Sequence, residues 1–192
     1  MNLMISETAA QLTPTIRHVD LSVDTIIYAT AECSLGRIII ARSMKGVCAI
    51  LIGTNQVELG VELGADLAAR FPEAKLIANG AAVHDELAKV IRFVDKPAEG
   101  LHLPLDMRGT PFHRLVWEKL RAIPVGRTVT YTDVAYWVGP LTSARAVAGA
   151  CASNPIALAV PCHRVVRSNG DLGGYHWGVE RKREMIRREA MT

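Results

Sequence analysis

No stretch of this 192-residue sequence reaches the apolar length of about 18 residues that a membrane-spanning helix needs. The opening residues, MNLMISETAAQLTPTIRHVD, hold neither the basic block nor the apolar block of a secretory signal. Residues 1–25 read as a polar leader, expected to be mobile, and the protein is expected in the cytoplasm. Cysteine is sparse, at four residues, and no two form a C-x-x-C pair. No histidine pair has zinc-finger spacing either, so no metal is expected. In a reducing compartment Cys33, Cys48, Cys151 and Cys162 are free thiols. Most such thiols are inert small hydrophobes, a reading that suits Cys33, Cys48 and Cys151. Net charge is low as well, at +3.

What is present is a globular composition, 49% apolar, in a chain long enough for one large domain or two small ones. The small net charge hides an asymmetry. Residues 1–107 hold 9 Lys/Arg and 13 Asp/Glu, whereas residues 108–192 hold 13 and 6. A basic second half on a mildly acidic first half points to a polyanionic partner, or to a solvated arginine-rich face.

Residues 26–33, 37–42 and 47–52 are rich in β-branched side chains and are separated by turns holding Gly36 and Gly46. They predict a three-stranded antiparallel meander. Leu59, Leu63, Leu67 and Phe71 repeat every fourth residue, a helical stripe ended by Pro72. Val83, Leu87, Val90, Ile91 and Val94 predict a second helix, and a Pro- and Gly-containing linker follows. Thr110-Pro111 is an N-cap with proline in the first turn. Phe112, Leu115, Val116, Leu120 and Ile123 stripe the helix behind it. Short helices over 131–138 and 143–153, around Gly139-Pro140-Leu141-Thr142, suggest helix-turn-helix. In the second, Ala144, Val147, Ala148 and Cys151 form an apolar stripe. The opposite face, with Arg145, Gly149 and Ala152, suits either tight helix packing or close approach to DNA.

The segment IALAVPCHRVV, residues 156–166, carries the chemistry. IALAV predicts a short buried strand that Pro161 ends, which puts the Cys162 thiol at a strand end. His163 is positioned to take its proton, through one water if the backbone is extended. Arg164 adds charge that favours thiolate. A helix over about 178–190 has Val179, Met185, Ile186 and Ala190 on its inner face, and Glu189 falls on the same face. A carboxylate there is disfavoured by the helix dipole and needs a partner. A Cys–His–Glu relay supplies one, unless Glu189 lies in water at a frayed end. Asn169-Gly170 reads as a turn. Tyr175, His176 and Trp177 suit either a flat heterocycle or core packing.

Pro161-Cys162-His163-Arg164-Val165 resembles the active-site signature of the O6-alkylguanine-DNA alkyltransferases. The resemblance runs from about Ile26 to Glu189 and includes the C-S-L-G-R turn, the R-A-V-A-G-A-C helix and W-G-V-E-R-K…R-R-E-A. It is most similar to the C-terminal half of Ada-type response proteins. The zinc module of those proteins is not in this sequence, which argues against a transcriptional role. The resemblance implies an α+β fold, with a ribonuclease-H-like N-terminal domain over 26–100 and a linker over 101–109. A mainly helical domain over 110–192 follows, with a winged-helix-like helix-turn-helix. It implies direct-reversal DNA repair, in which Cys162 irreversibly takes a methyl group from O6-methylguanine, and from O4-methylthymine, in a flipped base. It makes His163 the base, Glu189 its orienting acid, Tyr131 a phosphate-rotating and proton-donating group, and Asn154 a tie between the recognition helix and the active-site strand. Arg145 becomes the finger that enters duplex DNA from the minor groove, with Tyr131, Ala144 and Gly149 also against the DNA. Val165, Tyr175, His176, Trp177 and Lys182 form the substrate pocket. No cofactor and no membrane partner are implied, and the protein acts as a monomer.

Two positions depart from the family pattern. His176 stands where other members carry serine or arginine, and Trp177 where some carry glycine. A bulky ring at Trp177 predicts a narrow pocket that accepts methyl and handles benzyl poorly. Cys48 and His102 lie near positions of a zinc site in some members, but the other ligands are missing, so no zinc is expected. Two other functions compete: a cysteine hydrolase using Cys162, His163 and Glu189, and a DNA-binding regulator or alkyl-lesion binder whose thiol is incidental.

Overall fold

The computed structural model describes residues 24–53 and 59–191. The expected leader lies almost wholly outside the described residues. The meander forms as predicted: β1 (Thr25–Cys33) pairs antiparallel with β2 (Gly36–Ser43), and β2 with β3 (Gly46–Ile52). α1 (Leu59–Arg70) follows, and Leu67 and Phe71 of the expected stripe are buried. A fourth strand, β4 (Lys75–Ala78), pairs parallel with β1 and gives the order β3-β2-β1-β4. Its four residues are mostly exposed, so no alternation marks them in the sequence. α2 (His84–Asp95) buries Val90, Phe93 and Val94.

The outer edge of β3 is where the second half of the chain attaches. Unpaired strand edges need cover, and here two segments supply it. Val47 N donates to Pro104 O at 2.8 Å, and Asp106 N to Val47 O at 2.9 Å. Ile50 N donates to Pro155 O at 2.9 Å, and Ala157 N to Ile50 O at 3.0 Å. β3 is consequently buried along its whole length. The expected linker is therefore docked backbone. Gly46 makes that possible: it has φ 141°, and a Cβ there would meet Pro104 O at 2.5 Å.

The helical part comprises α3 (Pro111–Arg121), α4 (Tyr131–Val138), α5 (Ala144–Ala152) and α6 (Val179–Glu189). Thr110 caps α3 by accepting from His113 N, and Ser143 caps α5 by accepting from Ala146 N. Trp117 Nε1 donates to Ala150 O at 2.8 Å, which locks α3 on α5. Leu115, placed on the apolar stripe of α3 by the sequence, is 40% exposed, and Trp117 takes the inner position. β5 (Val129–Thr130) and β6 (Val165–Val166) pair parallel and bring the chain after Cys162 beside α4. The architecture is mixed α+β. Among the described residues no helix is long and apolar enough to cross a membrane.

Candidate active site

The expected strand over 156–160 is a buried turn, in which Ile156 alone pairs, with Ile50. Pro155 and Pro161 bracket too short a segment for a ladder, and Leu158 reverses the chain at φ 68°. Asn154 takes the place of a strand partner. Its Oδ1 accepts from Ile156 N and its Nδ2 donates to Val160 O, both at 2.9 Å. The same Nδ2 donates to Cys162 Sγ at 3.2 Å. Asn154 thus ties the end of α5 to Cys162 and lays a hydrogen bond on its sulfur.

Residues Cys162–Arg164 form one 3-10 turn. Successive side chains there diverge by about 120°, not the 180° of an extended chain. Cys162 faces the cavity while His163 and Arg164 both reach α6. His163 is fully buried, with Nε2 2.8 Å from Glu189 Oε1. A carboxylate can only accept, so Nε2 carries the proton and Nδ1 is left as the basic nitrogen. Nδ1 is buried without a protein partner. Arg164 grips both oxygens of Glu189, with Nε–Oε2 at 2.9 Å and Nη2–Oε1 at 3.0 Å, and also donates to Ile123 O. Gly126 N adds a donor to Oε2 at 3.4 Å. Glu189 is therefore no frayed end: it is 2% exposed and held by His163, Arg164 and Gly126.

The protonation states follow from burial and partners. Burial opposes charge on Glu189, but the hydrogen bonds from His163 and Arg164 win and bring it down to about 2. Burial lowers His163, against the pull of Glu189, so the imidazole is neutral near pH 7. Burial pushes the Cys162 thiol up to about 11, opposed by the Asn154 hydrogen bond and the charge of Lys182. The resting state is a thiol beside a neutral base. Arg164, expected to favour thiolate, is spent on Glu189, and Lys182 is the cation that bears on the sulfur.

A cavity of about 200 Å³ is lined by Cys162 together with Tyr131, Ala148, Cys151, Ala152, Gly174, Tyr175 and His176. A capping box at Thr130 and Asp133 starts α4 and sets Tyr131 at the cavity mouth. Burial raises the Tyr131 hydroxyl to about 12, so it keeps its proton. Tyr175 Oη is buried without a protein partner. Three expected pocket residues stand elsewhere. Trp177 is 2% exposed and packs edge-on against Tyr175 and His176, each 5.2 Å away, outside the cavity wall. The narrowing expected from its bulk has no basis in that position. Val165 is fully buried, its carbonyl accepting from Lys182 Nζ. Lys182 is fully buried, donates also to Leu172 O, and lies 5.8 Å from the Tyr131 ring. Of the expected inner face of α6, Met185 is buried, whereas Val179 and Ala190 are exposed.

The face of α5 with Arg145, Gly149 and Ala152 is exposed. A Cβ on Gly149 would meet nothing within 4 Å, so tight helix packing does not explain its small residues. Ala144 is partly buried beside them. Sequence reasoning placed Cys151 in the core and Ala152 on the outer face, yet both line the cavity. Their spacing from Arg145 and Ala148 along one helix was the available signal. Among the described residues, no group of His, Cys, Asp or Glu is placed to hold a metal.

A profile of the DNA-binding domain of 6-O-methylguanine DNA methyltransferase matches residues 111–191. The bifunctional transcriptional activator/DNA repair enzyme Ada of Escherichia coli is 45% identical over 163 residues, which cover 85% of this chain and 45% of that protein. The chain spans about half the length of the Ada-type relatives it matches. The inducible methylated-DNA–protein-cysteine methyltransferase of Bacillus subtilis is 32% identical over 143 residues, 74% of this chain and 78% of that one. Mycobacterium tuberculosis OGT in complex with DNA superposes with a TM-score of 0.68 at 28% identity, covering 86% of this chain and 93% of that chain. A relative 32% identical and matched over 78% of its own length shows the family: the chain belongs to the methylated-DNA–protein-cysteine methyltransferases.

Proposed function

We propose that this protein repairs alkylated DNA by direct reversal, transferring the methyl group of O6-methylguanine, and of O4-methylthymine, to Cys162. The observation that carries the reading is the Cys162 thiol at the floor of a cavity, backed by a neutral His163 on a charged Glu189. His163 Nδ1 takes the thiol proton through one water. Asn154 and Lys182 stabilise the thiolate. Sγ attacks the methyl carbon in line, the carbon–O6 bond breaks, and its electron pair passes into the base. Tyr131, held protonated, donates to the departing base. The product is a thioether that nothing in the site can reverse, so each molecule acts once.

The lesion reaches Cys162 only outside the base stack, so the target nucleotide is flipped. The exposed face of α5 enters the minor groove, and Arg145 fills the space the base leaves. The excess of Lys and Arg after residue 107 neutralises phosphates and offsets part of the flipping cost. The sheet order, with β4 parallel on the meander, supports a ribonuclease-H-like N-terminal domain over 26–100. The α4–turn–α5 unit supports a winged-helix-like domain over 110–192, with 101–109 joining the two. One chain holds the whole site, which suits a monomer, and a free thiol suits the cytoplasm.

The test is the mass of the protein and of its Cys162 peptide after mixing with a duplex holding one O6-methylguanine. A gain of one CH2 unit on that peptide, once per molecule, is expected. Binding without that gain would make the protein a lesion binder.

A further inference from the structure

The cavity wall is not built by the second half of the chain alone. Arg70, the last residue of α1, places Nη2 3.1 Å from His176 Nε2. The Arg70 side chain is only 19% exposed, and its Nε donates to Asp66 Oδ1 one turn back at 3.0 Å. On its other side His176 is fixed edge-on to the buried Trp177, at 5.2 Å and 85°. A guanidinium has five donors and no acceptor, so Nε2 must accept. In the neutral ring the proton then sits on Nδ1. His176 lines the cavity, and its remaining ring nitrogen is a donor.

The geometry points to Arg70 as a positioning residue for the alkyl-transfer site. It fixes His176 in the tautomer whose Nδ1–H donates to the oxygen that carries the methyl group. The assignment rests on the function proposed above. Its chemistry is that of an oxyanion donor: as the carbon–oxygen bond breaks, negative charge grows on that oxygen, and a fixed N–H there is worth more in the transition state than in the ground state. It also gives the first half of the chain a part in the reaction. α1 reaches across 106 residues of sequence to set which proton the site presents.

The test is single-turnover transfer at saturating protein, from duplexes holding either O6-methylguanine or S6-methyl-6-thioguanine. Sulfur is a weak acceptor, so the second duplex removes the contact from the substrate side. Arg70→Met is expected to slow transfer from the oxygen substrate by about tenfold, with a smaller loss on the sulfur substrate. Arg70→Lys keeps a donor and restores most of the rate. In a His176→Asn background, where an amide has no ring tautomer to fix, Arg70→Met should cost little more. Absence of transfer by the unaltered protein would overturn the function proposed above, and this assignment with it. Transfer by the unaltered protein with Arg70→Met within about twofold of it, or slowed equally on both duplexes, overturns the Arg70 assignment alone.

Discussion

In the proposed transfer, the burial of Cys162 decides how the nucleophile is made. A thiol held near 11 by burial is not a thiolate at neutral pH, so proton transfer to a base has to be coupled to attack. His163 is lowered below its ordinary 6.5, first by burial, so it is free to accept. The reactive species is the pair holding one proton. The transfer rate should therefore rise below pH 6.5 as His163 deprotonates, then stay flat well short of 11. Stopped single-turnover assays between about pH 5 and pH 9 will show it. His163→Gln removes the base, and its rate should climb about tenfold per pH unit across the same range. A flat profile in that variant would show that His163 is not the base. Glu189 acts on stability as well. Its carboxyl lies at about 2 in the folded chain against an ordinary 4.5, so its contribution is present above 4.5 and lost as pH falls toward 2. Glu189→Gln leaves Arg164 buried without its anion and should cost about 3–5 kcal/mol in urea denaturation at pH 7. Its acid limb should also be flatter than that of the unaltered protein.

Among the elements, β3 has the largest consequence for the site. Its open edge holds both the connecting segment at Pro104 and the turn that precedes Cys162. Cys162 is thus hung on a strand more than a hundred residues earlier in the chain. Gly46→Ala tests this. The φ of 141° and the approach of Pro104 O leave no room for a Cβ, so the backbone must shift. A loss of about 1–3 kcal/mol is expected from the strained conformation, read as a lower urea midpoint. α4 and α5 are set differently, by local chemistry. The capping box of Thr130 and Asp133 and the cap at Ser143 start the two helices that carry Tyr131 and Arg145.

For the whole molecule, the buried residues of sheet and helices make one contiguous core. α6 is bound to the first half at its own level. Arg181 Nε donates to Leu35 O at 2.7 Å, and Arg188 Nη1 to Val94 O at 2.8 Å. Two regions that share a core in this way should unfold together. Far-UV circular dichroism reports on all elements, and tryptophan fluorescence, from Trp117, Trp137 and Trp177, on the second half of the chain alone. Their urea transitions are expected to share one midpoint. Two separated transitions would show that the proposed domains are independently stable.

What is local in the chain was legible before any fold was known. The β-branched runs and their glycine turns, the stripes of α2 and α3, the caps at Thr110 and Ser143, and the PCHRV segment all lie within windows of a few residues. Helix period and cap chemistry act over that range. The charge asymmetry is a property of composition and was equally legible. The site also contains contacts set at long range. His163 meets Glu189 26 residues away, and Arg70 meets His176 at 106. The extended backbone expected around Cys162 and His163 became a 3-10 turn, and His163 is fully buried. Arg164 went to the carboxylate and not to the thiol because Glu189, buried at a helix C-terminus, needed a full set of donors. Trp177 left the pocket for the core, and Lys182 was buried against backbone carbonyls. Each of these outcomes depended on which desolvated group found a partner once the chain had closed on itself, and only the tertiary structure could decide that.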